Sequence, residues 1–382
     1  MENSTFEIFS RLNDPRDKRG KRYRLIDIIM LALYGTLIGF EDFTNMAYYL
    51  KKREQELIEE LGLENGVPSH DTFSAVFRVI DINQFMSLFV EWTKSLIEAK
   101  TGKHIAIDGK AVRAATKKAE GGSIPYVLNA FLCGEGISIG QKPIDEKTNE
   151  ITQIPKLLDL IDIKGSVVTV DAIGTQTAIM DKIIEKGGNF CLQLKSNQKV
   201  AFEDVDLYFS NLTEKEKSEL PVYNIAEKEH GRIEKRKYSI VTDEKLIKGI
   251  LQDEKWNHVK AIGVAELTRI IGDKTTQETH FHVLSFIPTA EKYASYARSH
   301  WEIENSLHWV LDIHFNEDRS TANTDNSIAN LSLLRKMAFN LTKLNPEMKK
   351  KTTKKKMIDF MTDISVFKRL IFEVIPTVAC EE

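Results

Sequence analysis

The sequence predicts a mixed α/β core set between two helical regions, with a β-rich insertion inside the core. Three observations carry this. Apolar residues recur every three or four positions through residues 1–100. From residue 103 that period gives way to short β-rich runs bounded by Gly and Pro, which alternate with helical patterns. Helical periodicity returns at 291 and lasts to about 373.

In the first region the helical period runs through 25–40, 43–61 and 82–98. Between the last two lies "NGVPSHDTFSAVFRVID" (65–81), where Gly66 and Pro68 break the chain and Ser69 can cap a helix. Phe73, Val76, Phe77 and Ile80 then form an apolar stripe. A helix, a tight turn and a capped second helix describe an ordinary helical hairpin, and also a helix-turn-helix DNA reader. The core begins with the strands "HIAIDG", "YVLNAFLCGEGISIGQKPI" and "GSVVTVDA". A helix, "ITQIPKLLDLI", lies between the last two. A second helix, "TQTAIMDKIIEKG", and a strand, "NFCLQLKS", follow. Residues 201–290 read as antiparallel strands with polar turns, and "SLLRKMAFNLTKL" belongs to the closing helical stretch.

Composition narrows the function classes. The 382 residues are 42% hydrophobic and 29% charged, enough for two or three structural units. The net charge is only -3, so any affinity for nucleic acid must come from local patches. "DPRDKRGKRYR" (14–24) and "KKKTTKKKM" (349–357) each carry six basic residues, and a lysine run can equally be a solvated face. Cys133, Cys191 and Cys380 are odd in number and unpaired in spacing, which argues for a reducing compartment and against a zinc cage or disulfide framework. Met1 is followed by polar residues rather than an apolar core, and "LIDIIMLALYGTLIGF" (25–40) is too short for a membrane span. The expected location is the cytoplasm.

Two aspartates share one context. Asp108 follows the apolar run of "HIAIDG", with Gly109 and Lys110 behind it, and Asp171 follows the β-branched run of "VVTVDA". Either alone reads as a cap or turn residue. As a pair at the ends of neighbouring strands they would repel and need a cation, and hard carboxylate oxygens suit Mg²⁺ or Mn²⁺. A third carboxylate is expected from a helix in "YARSHWEIENSLHWVLDIHFNED" (296–318). At α-helical spacing His300, Glu304, His308 and Leu311 share a stripe, which selects Glu304 and predicts its partial burial, while Glu302 points away with Ser306 and Trp309. His300, Glu304 and His308 could also form a transition-metal site, though no further protein ligand is obvious.

These stretches, with "PSHDTFSAVF", "IAIDGKAVRAA", "VVTVDAIGTQTAI", "FCLQLKSNQ" and "EHGRIEKR", run in one order from about residue 10 to 345. Together they resemble the DDE transposases of bacterial insertion sequences, in the ISAs-type group that includes the H-repeat-associated proteins. The resemblance implies an RNase H-like core with the β-rich insertion at about 201–290, in a catalytic domain over 101–345. A helical DNA-binding domain over 1–100 precedes it and a basic helical tail over 346–382 follows. It implies metal-dependent cleavage at transposon ends and strand transfer into target DNA. The resemblance places the family's three acids and metal ligands on Asp108, Asp171 and Glu304, at separations of 63 and 133 positions. Two Mg²⁺ or Mn²⁺ ions are implied, bridged by Asp108, with Asp171 and Glu304 each completing one shell. The family's "IEN" motif also selects Glu304 over Glu302.

The wider superfamily places a tyrosine, an arginine and a lysine at fixed offsets from the glutamate. This chain has Ala297, His300 and Leu311 there, so Arg298 and His308 are expected to take over phosphate contacts. Lys110, Arg113, Lys195, Asn197, Gln198 and His300 complete the expected DNA contacts. The partners implied are duplex DNA, as terminal inverted repeats and target, and a second copy of the chain on that DNA. The alternatives are a catalytically silent DNA-binding remnant and a nuclease of the same fold that cuts without joining.

Overall fold

The computed structural model describes residues 4–97, 103–112, 126–144, 150–229, 231–320, 322, 324–345 and 348–373. Nine strands form one sheet: β1 (His104–Ala111), β2 (Tyr126–Cys133), β3 (Ile137–Ile144), β4 (Val167–Val170), β5 (Asn189–Leu194), β6 (Val222–Glu229), β7 (Arg232–Val241), β8 (Ala261–Ile271) and β9 (Lys274–Leu284). Their order is β3-β2-β1-β4-β5-β9-β8-β7-β6. β1, β4 and β5 run parallel, whereas β2 and β3 form an antiparallel hairpin. That 3-2-1-4-5 order is the order of an RNase H-like core, as the resemblance implies. The β-rich insertion continues the same sheet, since β9 pairs antiparallel with β5, and β8, β7 and β6 follow as an antiparallel meander. Residues 201–290 are not all strand, however. α9 (Lys199–Asn211), α10 (Glu214–Glu219) and α11 (Glu244–Ile250) lie at or within its ends and loops. In α9, Ala201 and Val205 are buried at helical spacing, and a capping box at Thr213 starts α10.

The chain divides into two compact units. One comprises Thr101–Asp108 and Glu150–Ile303. Here α7 (Glu150–Leu160) and α8 (Thr177–Glu185) supply apolar faces built from Ile154, Leu157, Ile179 and Ile183. α12 (Ala290–Ser299) covers the sheet, packing Ala290, Tyr293 and Ala294 with Val167, Cys191, Ala261 and Leu284. This docking depends on Gly263, because a Cβ there would stand 2.5 Å from the Tyr293 ring. The Tyr293 hydroxyl lies 2.8 Å from His282 Nδ1 on β9.

The other unit comprises Met1–Lys100, Gly109–Asn149 and Glu304–Glu382. Its helices are α1 (Thr5–Ser10), α2 (Leu25–Leu37), α3 (Phe43–Lys52), α4 (Glu54–Leu61), α5 (His70–Val79), α6 (Ile82–Ser95), α13 (Trp309–Ile313), α14 (Asp325–Leu344), α15 (Thr353–Thr362) and α16 (Ile364–Phe372). The stretch 43–61, one helical pattern in the sequence, is two helices. Arg53 breaks it by donating to Tyr34, to Tyr49 and to the Met361 carbonyl, while pairing with Glu56. Ser69 caps α5 as expected, and Phe73, Val76, Phe77 and Ile80 are buried. The connection from α4 runs over the eight residues from Gly62 to Ser69, longer than the three or four of a helix-turn-helix reader. That pattern therefore belongs to a packed helical array.

All thirteen residues of α2 are buried, and α14 packs on α2, α5, α6 and β3. Asn330 on α14 donates to the Phe77 and Ile80 carbonyls at the end of α5, and Asn340 exchanges hydrogen bonds with the Ser138 backbone on β3. Leu334, Met337 and Phe339, apolar residues that required cover, are fully buried within this unit, and Leu331 is half-buried. In the lysine run, Lys349, Lys350, Lys351, Lys354 and Lys355 are exposed, whereas Lys356 is buried and donates to the Thr342 carbonyl.

Candidate active site

Asp108 and Asp171 occupy matching places on adjacent parallel strands. Ile107 pairs with Val170 in the register, so each aspartate stands one step beyond that pair. Side chains alternate along strands, which puts the two carboxylates on one face of strands about 4.8 Å apart. Both are half-buried. Asp108 does not end its strand, since β1 continues through Ala111. Asp171 does end β4, and its Oδ1 accepts from the Ala172 amide at 2.6 Å, so it also caps the short turn Ala172–Gly174.

Neighbouring loops hold this edge. Lys195 Nζ lies 3.4 Å from Asp171 Oδ1, with both side chains 48% exposed. Asn197 donates to the Ala172 carbonyl and Gln198 to the Thr175 carbonyl, while Thr175 donates to Gln193 on β5. The amides expected to hold phosphate thus tie the loop after β4 to the loop after β5. Arg298 donates to both oxygens of Glu227, at 2.9 and 3.1 Å.

Two residues before Asp171, the Thr169 hydroxyl lies 2.8 Å from His104 Nε2 and 3.0 Å from His300 Nδ1. His300 therefore turns inward onto β4 rather than out to DNA. Burial lowers the His104 pKa to about 3, with His300 adding to the effect, and lowers that of His300 to about 4. His282 is likewise pushed down to about 3 by burial.

Glu304 is the second residue of a π turn, Ile303–His308, and is exposed, which overturns its expected burial. Glu302 is the half-buried one of the two. His300 is half-buried and His308 buried while Glu304 is exposed, so the three do not form one buried stripe. The choice of Glu304 now rests on the "IEN" motif alone. His308 is buried, with Nε2 3.1 Å from Asn129 Nδ2, and burial lowers its pKa to about 3. It offers no open contact to phosphate.

Lys110 is enclosed as well. It is 8% exposed, and its ammonium lies 2.7 Å from Asp312, 3.1 Å from Glu317 and 3.5 Å from Asp318. Burial alone would lower its pKa, but the three carboxylates raise it. Glu317 is fully buried, and burial pushes its pKa up. Lys110, Lys336 and Arg335 outweigh that and bring it to about 2. Ser332 bridges Glu317 to Lys336, whose ammonium also donates to Gln141, and burial brings Lys336 down to about 8. The expected phosphate contact at Lys110 is thus an internal ion pair. Arg113 lies outside the described residues.

The sequence reading missed Thr169, although it alternates with Asp171 on one strand face. It also missed the cage around Lys110, although "LDIHFNED" carries all three acids. Among the described residues no three His, Cys, Asp or Glu side chains stand close enough together to hold a metal ion. The donor chemistry of the aspartate pair, hard oxygens on one face, suits a hard divalent cation.

Comparison with known proteins identifies the chain. Residues 6–93 match the family described as DDE_Tnp_1-associated, and residues 99–341 match the transposase DDE domain. The "H repeat-associated putative transposase YhhI" of Escherichia coli (strain K12) is 34% identical over 344 residues, covering 88% of this chain and 89% of that protein. The "Putative transposase YncI" of Escherichia coli O157:H7 is 31% identical, covering 88% and 87%. Among solved structures, the piggyBac transposase in its synaptic complex with hairpin DNA is similar at a TM-score of 0.43 and 10% identity, covering 98% of this chain and 77% of that one. On the strength of the domain match and these relatives, the chain belongs to the DDE transposase family.

Proposed function

We propose that this chain cuts DNA at the ends of an insertion sequence and joins the freed 3′ ends to target DNA. The observation that carries the reading is the pair Asp108 and Asp171, in register on adjacent parallel strands of a transposase DDE domain. Asp108, Asp171 and Glu304 would hold two divalent ions, Mg²⁺ or Mn²⁺. When bound, such ions stabilise the attacking and leaving oxygens of an in-line displacement at phosphorus. Lys195, half-exposed beside Asp171, neutralises phosphate charge at the same edge. The Thr169 bridge to His104 and His300 and the tied loops at Asn197 and Gln198 keep that edge rigid.

DNA ends are gripped by the basic stretch 14–24. Arg16 pairs with Asp14, and Arg24 pairs with Asp27 and Glu64, while Arg19, Lys21 and Arg22 are exposed. Two copies act on one DNA complex, because two ends must join one target. α14 is too deeply buried to supply their contact. No single described helix is long and apolar enough to cross a membrane, and the reading places the chain in the cytoplasm with the DNA it processes.

Asp108→Asn, Asp171→Asn and Glu304→Gln should each abolish Mg²⁺-dependent cleavage of terminal-repeat DNA while leaving the circular dichroism spectrum unchanged. Chelation should do the same to the parent chain. Loss of cleavage in Glu302→Gln with normal cleavage in Glu304→Gln would reassign the third acid.

A further inference from the structure

We propose that a cavity in the helical unit is a nucleotide-binding site, in which Arg335 takes a phosphate and the rings of Phe40 and Phe43 take a base. The cavity measures about 260 Å³, close to the lower end of small-ligand pockets, roughly 300 Å³. It is lined by the loop after α2 and by α3, α5 and α14, all within one compact unit.

Arg335 is the first observation. It is 3% exposed and lines the cavity, yet only its Nε has a hydrogen-bond partner among the described residues, the Phe315 carbonyl at 3.2 Å. Glu317 and Glu41 act on it through their charge without forming an ion pair. A guanidinium stays protonated, and burying it without a bonded anion is costly, so the site favours an anionic ligand. Arg78, exposed on α5, adds a second cation to the wall.

The rest of the lining narrows the ligand. Asp42 is committed to capping α3, accepting from the amide and side chain of Asn45. Glu41 remains as an acceptor that suits the amino group of a base and repels bare phosphate. Phe40, packed on Tyr49, and Phe43, packed on Phe73 and Phe77, bring aromatic rings to the wall, and Ser74 brings a hydroxyl. An apolar ligand would leave Arg335 uncompensated, and inorganic phosphate would leave the rings uncovered. A nucleotide satisfies both. It can come from a DNA strand or from a free mononucleotide, and only the DNA source rests on the function proposed above.

The test is calorimetric titration of the full chain with dAMP, dGMP, inorganic phosphate and a 5′-phosphorylated single-stranded pentanucleotide. The expected result is one site for mononucleotide, with inorganic phosphate weaker by about tenfold or more and Arg335→Met weakening the nucleotide by a similar factor. Ser74→Trp, which fills the cavity from α5 without touching the charge of Arg335, should abolish binding too, and decides the matter alone if Arg335→Met does not fold. Tighter binding of the pentanucleotide assigns a DNA source, and equal or weaker binding assigns a free mononucleotide. Absence of nucleotide binding in the parent chain, or its survival in the folded variants, overturns the proposal. Binding by a chain that cuts no DNA would sink the transposase reading instead, and cutting without binding would sink only this one.

Discussion

Histidines set the response of this protein to acid. His104, His282 and His308 are buried and held near a pKa of about 3, against about 6.5 for an exposed histidine. Above pH 6.5 they are neutral whether the chain is folded or not, and stability does not depend on them. As pH falls below 6.5 the unfolded chain takes up protons that the folded chain refuses, so stability is lost. Each histidine contributes a loss of about 1.4 kcal/mol per pH unit over that window. The urea midpoint should therefore drop steeply between pH 6.5 and pH 4.5 and stay level from pH 7 to pH 8. Replacement of His282 by glutamine should shallow the slope by about a quarter, since His300, held at about 4, makes a fourth contribution over the same window. A level profile across the acid range would refute this account. The aspartates, by contrast, were readable as a pair because alternation along two short strands is a local signal. The inward turn of His300 onto Thr169 was not, because its cause lies 131 residues away.

At the scale of elements, the junction of α12 with β8 is the most exacting contact described. The Tyr293 ring lies close against Gly263, and its hydroxyl reaches His282. Gly263→Ala should lower stability by about 1–3 kcal/mol through displacement of that ring, measurable as a shift in denaturant midpoint. An unchanged midpoint would mean that α12 can lift off the sheet at little cost. Elements were legible where their period was regular. α2, α5, α7, α8 and the strands of the core follow directly from apolar spacing, because packing on one face imposes that spacing. The π turn at 303–308 was not legible, because a single slow turn inserted in a helix leaves no repeat to detect, and the expected burial of Glu304 failed with it. The break at Arg53 escaped for a related reason. One side chain bonding to Tyr34 and to the Met361 carbonyl, 19 and 308 positions away, is a tertiary fact.

For the molecule as a whole, the two ends of the chain build one unit. Thr5 donates to the Leu370 carbonyl, Tyr34 to the Phe360 carbonyl, and Asn330 closes the end of α5. The stretch 1–100 reads as a domain of its own in the sequence, but its apolar surfaces are covered by α14, α15 and α16. Expressed alone, residues 1–100 should fail to give a cooperative melt and should be cut rapidly by protease, and adding residues 304–382 in trans should restore protection. A sharp unfolding transition in the isolated stretch would contradict this. The order of synthesis gives the same feature another meaning. A ribosome releases the first hundred residues long before the segment that shelters them, so the nascent chain must wait, incompletely folded, for its own last quarter. A stop codon arising in the middle of the gene would then leave no stable fragment to occupy the element's ends and block intact copies. On the function proposed above, damage of that kind would be silent rather than inhibitory.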